Sequence, residues 1–323
     1  MKRITRTLIA ALAVLCGSCA MAQEYPNRAV RLVIPFAPGG TTDTLGRVFA
    51  QAFQGKLGQP VIVDNRPGAG SQIGTDSVAK AAPDGYTMLL GPADGLAILP
   101  ALKRKLPYDP LKDFSPVSLI AHSPMVFAVN AKFAPRTLGE LIDYAKAKPG
   151  EVRFGSAGIG SILQLTVELL RAKTGTDMVH VPYKGGGPAT VDLVGGQIQL
   201  LAAGAVSVAK QADAGHVRLL AQTGPTRHAL IPNVPTTAEL GMADVAVVSW
   251  FGLVGPPGLA PAIINRLAHD VAAVNELHAF RQRMIDIGCE STTLGPQEFA
   301  KYIADENRKW VQVVAAAKIP PQD

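Results

Sequence analysis

Residues 31–45, RLVIPFAPGGTTDTL, set an apolar run (Leu32, Val33, Ile34) before Pro35, then a turn carrying Gly39 and Gly40. A helical pattern follows from Thr42 through Leu45, Val48, Phe49, Ala52 and Phe53. A strand that runs through a glycine turn into a helix start leaves backbone N–H groups free, and such a start attracts anions. The same order recurs downstream. Strand 60–65 leads into RPGAGSQIG (66–74), strand 152–156 into GSAGIGSIL (155–163), and strand 178–183 into KGGGPATVD (184–192).

Further strands are expected at 86–91, 117–130, 198–204, 217–223 and 245–256, and helices at 42–55, 71–82, 137–147, 161–174, 188–195, 261–275, 277–287 and 296–316. Strands alternating with helices predict an α/β protein whose parallel sheet is covered on both faces. Two strand candidates, 117–130 and 245–256, are long enough to leave one lobe and enter another. The expected division is residues 23–123 with 248–323 in one lobe and 124–247 in the second, hinged about a cleft. Ligands of open α/β sheets sit beyond the carboxyl ends of the strands, which puts that cleft over the glycine loops.

The first 22 residues read as a secretory leader: Lys2, Arg3 and Arg6, an apolar stretch from Leu8 to Cys16, and Ala20-Met21-Ala22 as the cleavage signal. Cleavage after Ala22 is expected in preference to a lipid anchor, because Leu15 precedes Cys16 and Cys16 stands three places before Cys19. Removing these 22 residues from 323 leaves 301, and the three basic residues lost take the net charge from +6 to +3. No basic run is interleaved with aromatic residues, so a nucleic-acid partner is not expected. Of three cysteines only Cys289 remains, and one thiol closes no internal disulfide. It is expected to be a buried filler.

The nucleotide motifs fail in detail. None of the four loops has the lysine of a phosphate-binding P-loop, and Gly68, Gly70 and Gly74 lack the acidic residue of a dinucleotide site. FGSAG (154–158) has Phe154 where a nucleophile elbow needs glycine, and the six histidines show no metal-ligand spacing. No cofactor, metal or catalytic residue is expected. Converging helix starts with neutral donors suit a small carboxylate, because charge-assisted N–H···O bonds need no basic side chain. Only Arg66 and Lys184 are basic within these loops.

With those motifs in place the sequence resembles the Bug/TctC family, the extracytoplasmic solute receptors of tripartite tricarboxylate transporters. The resemblance is carried by YPNRAVRLVIPFAPGGTTD (25–43), VIVDNRPGAGSQIGTDSVAKAAPDGYTMLLG (61–91), KLPYDPLKDFSPVSLI (105–120), FGSAGIGS (154–161), VPYKGGGPATVDLVGGQI (181–198), IPNVPTTAELG (231–241) and WFGLVGPPGLAP (250–261). It implies a type II periplasmic-binding-protein fold in which two α/β lobes, joined by two crossing strands, close on a small organic acid. It also implies periplasmic localisation and delivery to a permease of one large and one small membrane subunit. By motif, the implied carboxylate site is Phe36, Ala37, Pro38, Gly39, Gly40 and Thr41 with Asp43, faced by Ser156, Ala157, Gly158 and Ser161.

Each residue also has a plainer reading. Gly39 and Gly40 satisfy a tight turn, Asp43 caps a helix or holds a bridging water, and Ser156 and Ser161 cap the next helix. Tyr183 reads as a packing residue whose hydroxyl reaches toward the cleft; Lys184 reads as a surface ion-pair partner or a ligand contact. The chain departs from the family pattern at Leu99 (usually Asn), at Gln164 (near a common His), and at Ala202 and Ala203 (near a common Asp). It gains Asp94, either an exposed turn residue or a cleft acid that selects a ligand with an amine or hydroxyl. Those departures leave the ligand open. A monomer is the default expectation for a hinged receptor. A sensory adaptor and an exported enzyme on the same cleft are the rival functions.

Overall fold

The computed structural model describes residues 25–321, so the expected leader lies outside the described residues. Ten strands form a continuous, curled sheet in the order β2 (Val61–Asn65), β1 (Val30–Ile34), β3 (Thr87–Pro92), β9 (Val248–Gly255), β4 (Ser115–Asn130), β7 (Leu200–Gly204), β5 (Arg153–Ser156) and β6 (Val179–Pro182). Strands β8 (Val217–Gln222) and β10 (Glu290–Leu294) both pair with β4 off that path. The helices are α1 (Thr41–Leu57), α2 (Gln72–Ala79), α3 (Leu99–Leu102), α4 (Leu138–Ala147), α5 (Ile162–Thr174), α6 (Gly186–Val194), α7 (Ala205–Asp213), α8 (Pro261–Asn275), α9 (His278–Asp286) and α10 (Pro296–Ala316).

β4 joins the two halves of the molecule. Up to Pro124 it pairs with β9, ending at Val248; from Met125 onward it pairs with β7 and β8. One strand of 16 residues thus belongs to two lobes, and its near-continuous burial explains its apolar sequence. The way back is different. The strand expected at 245–256 begins only at Val248, and a 3₁₀ turn, Ala243–Val245, precedes it. The sheets are mixed: β1–β2, β1–β3, β5–β6 and β5–β7 are parallel as expected, whereas β4 and β9 run antiparallel to their neighbours.

Each lobe has helices on both faces, hence two apolar layers per sheet. In the first lobe Phe49, Phe53, Phe251 and Phe280 pack on one side, and Trp250, Phe299 and Trp310 on the other. In the second lobe the layers centre on Phe127 and Phe154, and on Val126, Leu201 and Val208. Cys289 sits fully buried in the first core, and burial pushes its thiol up to about 12, an inert state. No helix among the described residues is long and apolar enough to cross a membrane.

Three elements escape a reading by periodicity. The polar edge strand β10, ESTTL, lacks the apolar alternation of a strand. The segment after β3 winds into a π-turn, Asp94–Ile98, and then α3, despite Gly95 and Pro100. α7 starts directly at the end of β7, with no connecting loop to announce it. The last two shape the site.

Candidate functional site

The four glycine loops meet in pairs across the lobes. Ala37 N–H donates to the Lys184 carbonyl at 3.0 Å, joining the first loop to the fourth. Gly187 lies so close to that first loop that a Cβ there would collide with the Pro38 carbonyl oxygen and come within 3.1 Å of the Gly39 carbonyl carbon. The second and third loops meet at Gly70, whose left-handed backbone (φ +63°) packs on the Ile159 carbonyl. Only glycine combines that φ with that approach.

Between these contacts lies a cavity of about 30 Å³. It is a narrow slot rather than an open bowl. Phe36, Phe251, Met125 and Leu163 make apolar walls; Thr41, Thr42, Ser123, Ser207 and Ser249 bring hydroxyls. Among the lining residues Asp94 alone carries a formal charge, and none is lysine, arginine or histidine.

Four helices begin at this slot. α1, α6 and α7 follow the N-cap glycines Gly40, Gly185 and Gly204, and none has a side-chain cap. Glycine at these caps lets the backbone of one lobe approach the other while leaving the first-turn N–H groups without a partner inside their own helix. Thr41 at the start of α1 and Ser207 in the first turn of α7 bring their hydroxyls to 3.4 Å across the cleft. The fourth helix, α5, is already served. Ser161 accepts from Gln164 N–H at 3.4 Å, and Asp94 from the first lobe accepts from Ile162 N–H at 2.8 Å.

Of the expected site residues, Ala37, Pro38, Gly39 and Gly158 do not line the cavity but make the contacts between loops. Phe36, Gly40, Thr41, Asp94 and Ala157 line the cavity. Asp43, Ser156, Ser161 and Gln164 are buried behind it and brace the loops. Asp43 accepts from Gly39 N–H at 3.0 Å, from Asn65 Nδ2 at 3.0 Å and from Arg47. Burial would raise its carboxyl, but the hydrogen bonds of Arg47, Gly39 and Asn65 outweigh it and hold the group below the usual carboxylate range. Asn65 also donates to the Phe36 carbonyl at 3.0 Å, so one cluster fixes both ends of the first loop. Ser156 accepts from Gly158 N–H at 3.1 Å and Gln164 from Gly160 N–H at 2.8 Å, which does the same for the third.

Ser156 Oγ also lies 2.6 Å from His180 Nε2, a contact that a hydrolase would want. The hydroxyl is fully buried and engaged with Gly158, and the imidazole is stacked on Phe154. Burial lowers the imidazole to about 4, so it stays neutral. The pair is part of the loop brace, shut away from the slot.

Tyr183 does not reach into the slot; its hydroxyl donates to Asp192 at 2.7 Å. Lys184 contributes its backbone carbonyl to the cleft contact, and its side chain is exposed. The exposed-turn reading of Asp94 is corrected: the residue is 2 % exposed, because the π-turn folds it under the lobe contact. Sequence reasoning missed the start of α7. Its signal was Gly204 at the strand end followed by small residues, the same grammar as Gly39-Gly40 in a more apolar dialect.

Replacing Asp43 by alanine frees Gly39 N–H and both anchors of the first loop. Affinity for a ligand held in this slot is expected to fall roughly tenfold or more, the loss of one charge-assisted hydrogen bond to an ordered loop. Calorimetric titration checks it, and an unchanged Kd would remove Asp43 from the brace.

The chain and its fold have relatives. A family model described as the tripartite tricarboxylate transporter family receptor, TctC, matches residues 45–319. Protein BugT of Bordetella pertussis is 39% identical over 294 residues, 91% of this chain and 90% of that protein. Among solved structures, R. palustris Rpa4515 with adipate superposes with a TM-score of 0.89 at 33% identity, covering 93% of this chain and 100% of that one. MatC (Rpa3494) from Rhodopseudomonas palustris with bound malate gives 0.86 at 32% identity, covering 90% and 100%. The matching family is one of transport receptors, not of enzymes.

Proposed function

The chain belongs to the tripartite tricarboxylate transporter receptor family, and from that premise we propose that it captures a small organic carboxylate in the periplasm by lobe closure and hands it to a membrane permease. One observation carries this reading: three helices without side-chain caps, from two lobes, start at one slot that holds no basic side chain. Their free N–H groups supply several charge-assisted bonds to one carboxylate, offsetting the cost of taking it from water.

In this account the Phe36–Thr41 loop and the starts of α6 and α7 touch the acid, with Ala157 and Leu163 closing the wall. Asp43, Ser156, Ser161 and Gln164 act by holding those loops in register. The lobes, 23–123 with 248–323 and 124–247, swing where β4 changes partners at Pro124 and where the chain returns near 245–248. Ligand favours the closed form through the contacts made only there. Cleavage of the leader after Ala22 releases the receptor, and the permease has one large and one small subunit. Binding of adipate and malate by relatives supports a carboxylate as cargo.

Binding to the native state alone raises the melting temperature. At least one acid in a panel of C3 to C6 mono- and dicarboxylates is therefore expected to raise Tm in a saturable manner. A flat response across the panel would contradict the reading.

A further inference from the structure

Asp94 comes from the first lobe, yet its carboxylate sits at the start of α5 in the second, 2.8 Å from Ile162 N–H. A helix start is where an anionic ligand group is best placed. Here the protein supplies that anion itself. The residue also lines the ligand slot, as its sole charged member. We propose that Asp94 takes the place of a second ligand carboxylate, so that this receptor selects acids with one carboxylate and a hydrogen-bond donor elsewhere, and rejects diacids of the same length. This deepens the proposed function and rests on it.

The physical reasons are two. A diacid entering this slot sets its second charge against a buried like charge with no cation among the lining residues to offset it. A ligand hydroxyl or ammonium meets an acceptor instead, and the ammonium gains the charge-assisted bond. Beyond the backbone hydrogen bonds that Asp94 accepts, among them that from Ile162 N–H, no neighbouring cation among the described residues relieves the repulsion. Tyr108 donates its hydroxyl to the neighbouring Gly95 carbonyl at 2.9 Å, and the charges of Asp94 and Asp76 both raise that phenol further beyond its burial. Thr75 and Ser71, which face Gly95 from beneath, are neutral. Burial pushes the Asp94 carboxyl up to about 7, so the group is an anion above that pH.

The test uses two matched series at pH 8: butanedioate, 4-hydroxybutanoate and 4-aminobutanoate, then the six-carbon counterparts. Titration calorimetry on the wild-type protein is expected to show the hydroxy or amino acid of one series binding at least tenfold tighter than its diacid. Asp94→Ser should reverse that ratio by opening the α5 start to the second carboxylate. Asp94→Asn, which keeps an acceptor for Ile162 N–H, should erase the advantage of ammonium over hydroxyl and keeps the question open to measurement if the serine variant folds poorly. Equal or tighter binding of the diacid by the wild type, with ratios unchanged in both variants, overturns the proposal and leaves the carboxylate-receptor reading standing. Binding of no compound by any of the three proteins would count against that reading itself, and the inference would fall with it.

Discussion

Gly187→Ala is expected to weaken ligand binding far more than it weakens the ligand-free protein. Gly187 sits in the first turn of α6 with no positive φ, and within its own lobe the new Cβ crowds the ring of Pro188, which follows it. The helical preference of alanine over glycine, up to about 1 kcal/mol, offsets part of that crowding. Across the cleft the same methyl group meets backbone, the Pro38 carbonyl and Gly39, which cannot rotate away. Closure then requires the first loop to retreat and lose the Ala37–Lys184 hydrogen bond. Overpacking of roughly 1–3 kcal/mol and a hydrogen bond of about 1 kcal/mol together weaken binding on the order of 100-fold. Thermal melting without ligand, paired with calorimetry, separates the two effects. A variant that melts lower and binds normally would show that the contact supports the fold rather than closure.

Asp94→Asn should flatten a pH dependence that the wild type displays. Burial raises the Asp94 pKa to about 7 from an ordinary 3.8. A raised carboxyl favours the compact state while protonated, so its contribution is fully present below about pH 4 and lost as pH rises through about 7. Wild-type stability should therefore decline across that window and level off above it. The full swing is at most roughly 4 kcal/mol, about three pKa units at 1.36 kcal/mol each. Asparagine cannot titrate and keeps an acceptor for Ile162 N–H. The expected result is a melting-temperature gap between variant and wild type that moves in the variant's favour from pH 5 to pH 8. A gap that stays constant with pH would mean that the Asp94 charge is solvated, contrary to its place in the slot.

Much of this architecture is legible in local sequence. Apolar runs such as Leu32–Ile34 end at glycine turns, and the helices that follow begin within a few residues of where periodicity puts them. The crossing of β4 could be read from the length of its buried run. Partner and direction could not: nothing in 117–130 says that one half pairs with β9 and the other with β7 and β8, because pairing depends on residues distant in the chain. The return through a 3₁₀ turn was hidden for the same reason.

For the site, the residues that donate through their backbone were easier to find than the ones that hold them. Gly40 and Thr41 announce a helix start. Asp43, Ser156 and Gln164 look like caps or ligand contacts in sequence, yet they hold the loop glycines Gly39, Gly158 and Gly160, a choice of partner set by three-dimensional loop shape. Asp94 looks like turn chemistry until the opposite lobe covers it. Gly204 lacks the polar residues that mark the other loops, so its helix start went unread.

The most direct test of the claim that peptide N–H groups grip the acid is an amide NMR titration of ¹⁵N-labelled protein with whichever acid of the panel raises Tm most. Amides at the first turns of α1, α6 and α7, among them Thr41, Thr42, Gly186 and Ala205, should shift together toward stronger hydrogen bonding and saturate at one stoichiometric equivalent. Saturable binding that leaves those amides unmoved, with the shifts gathered elsewhere on the molecule, would contradict it.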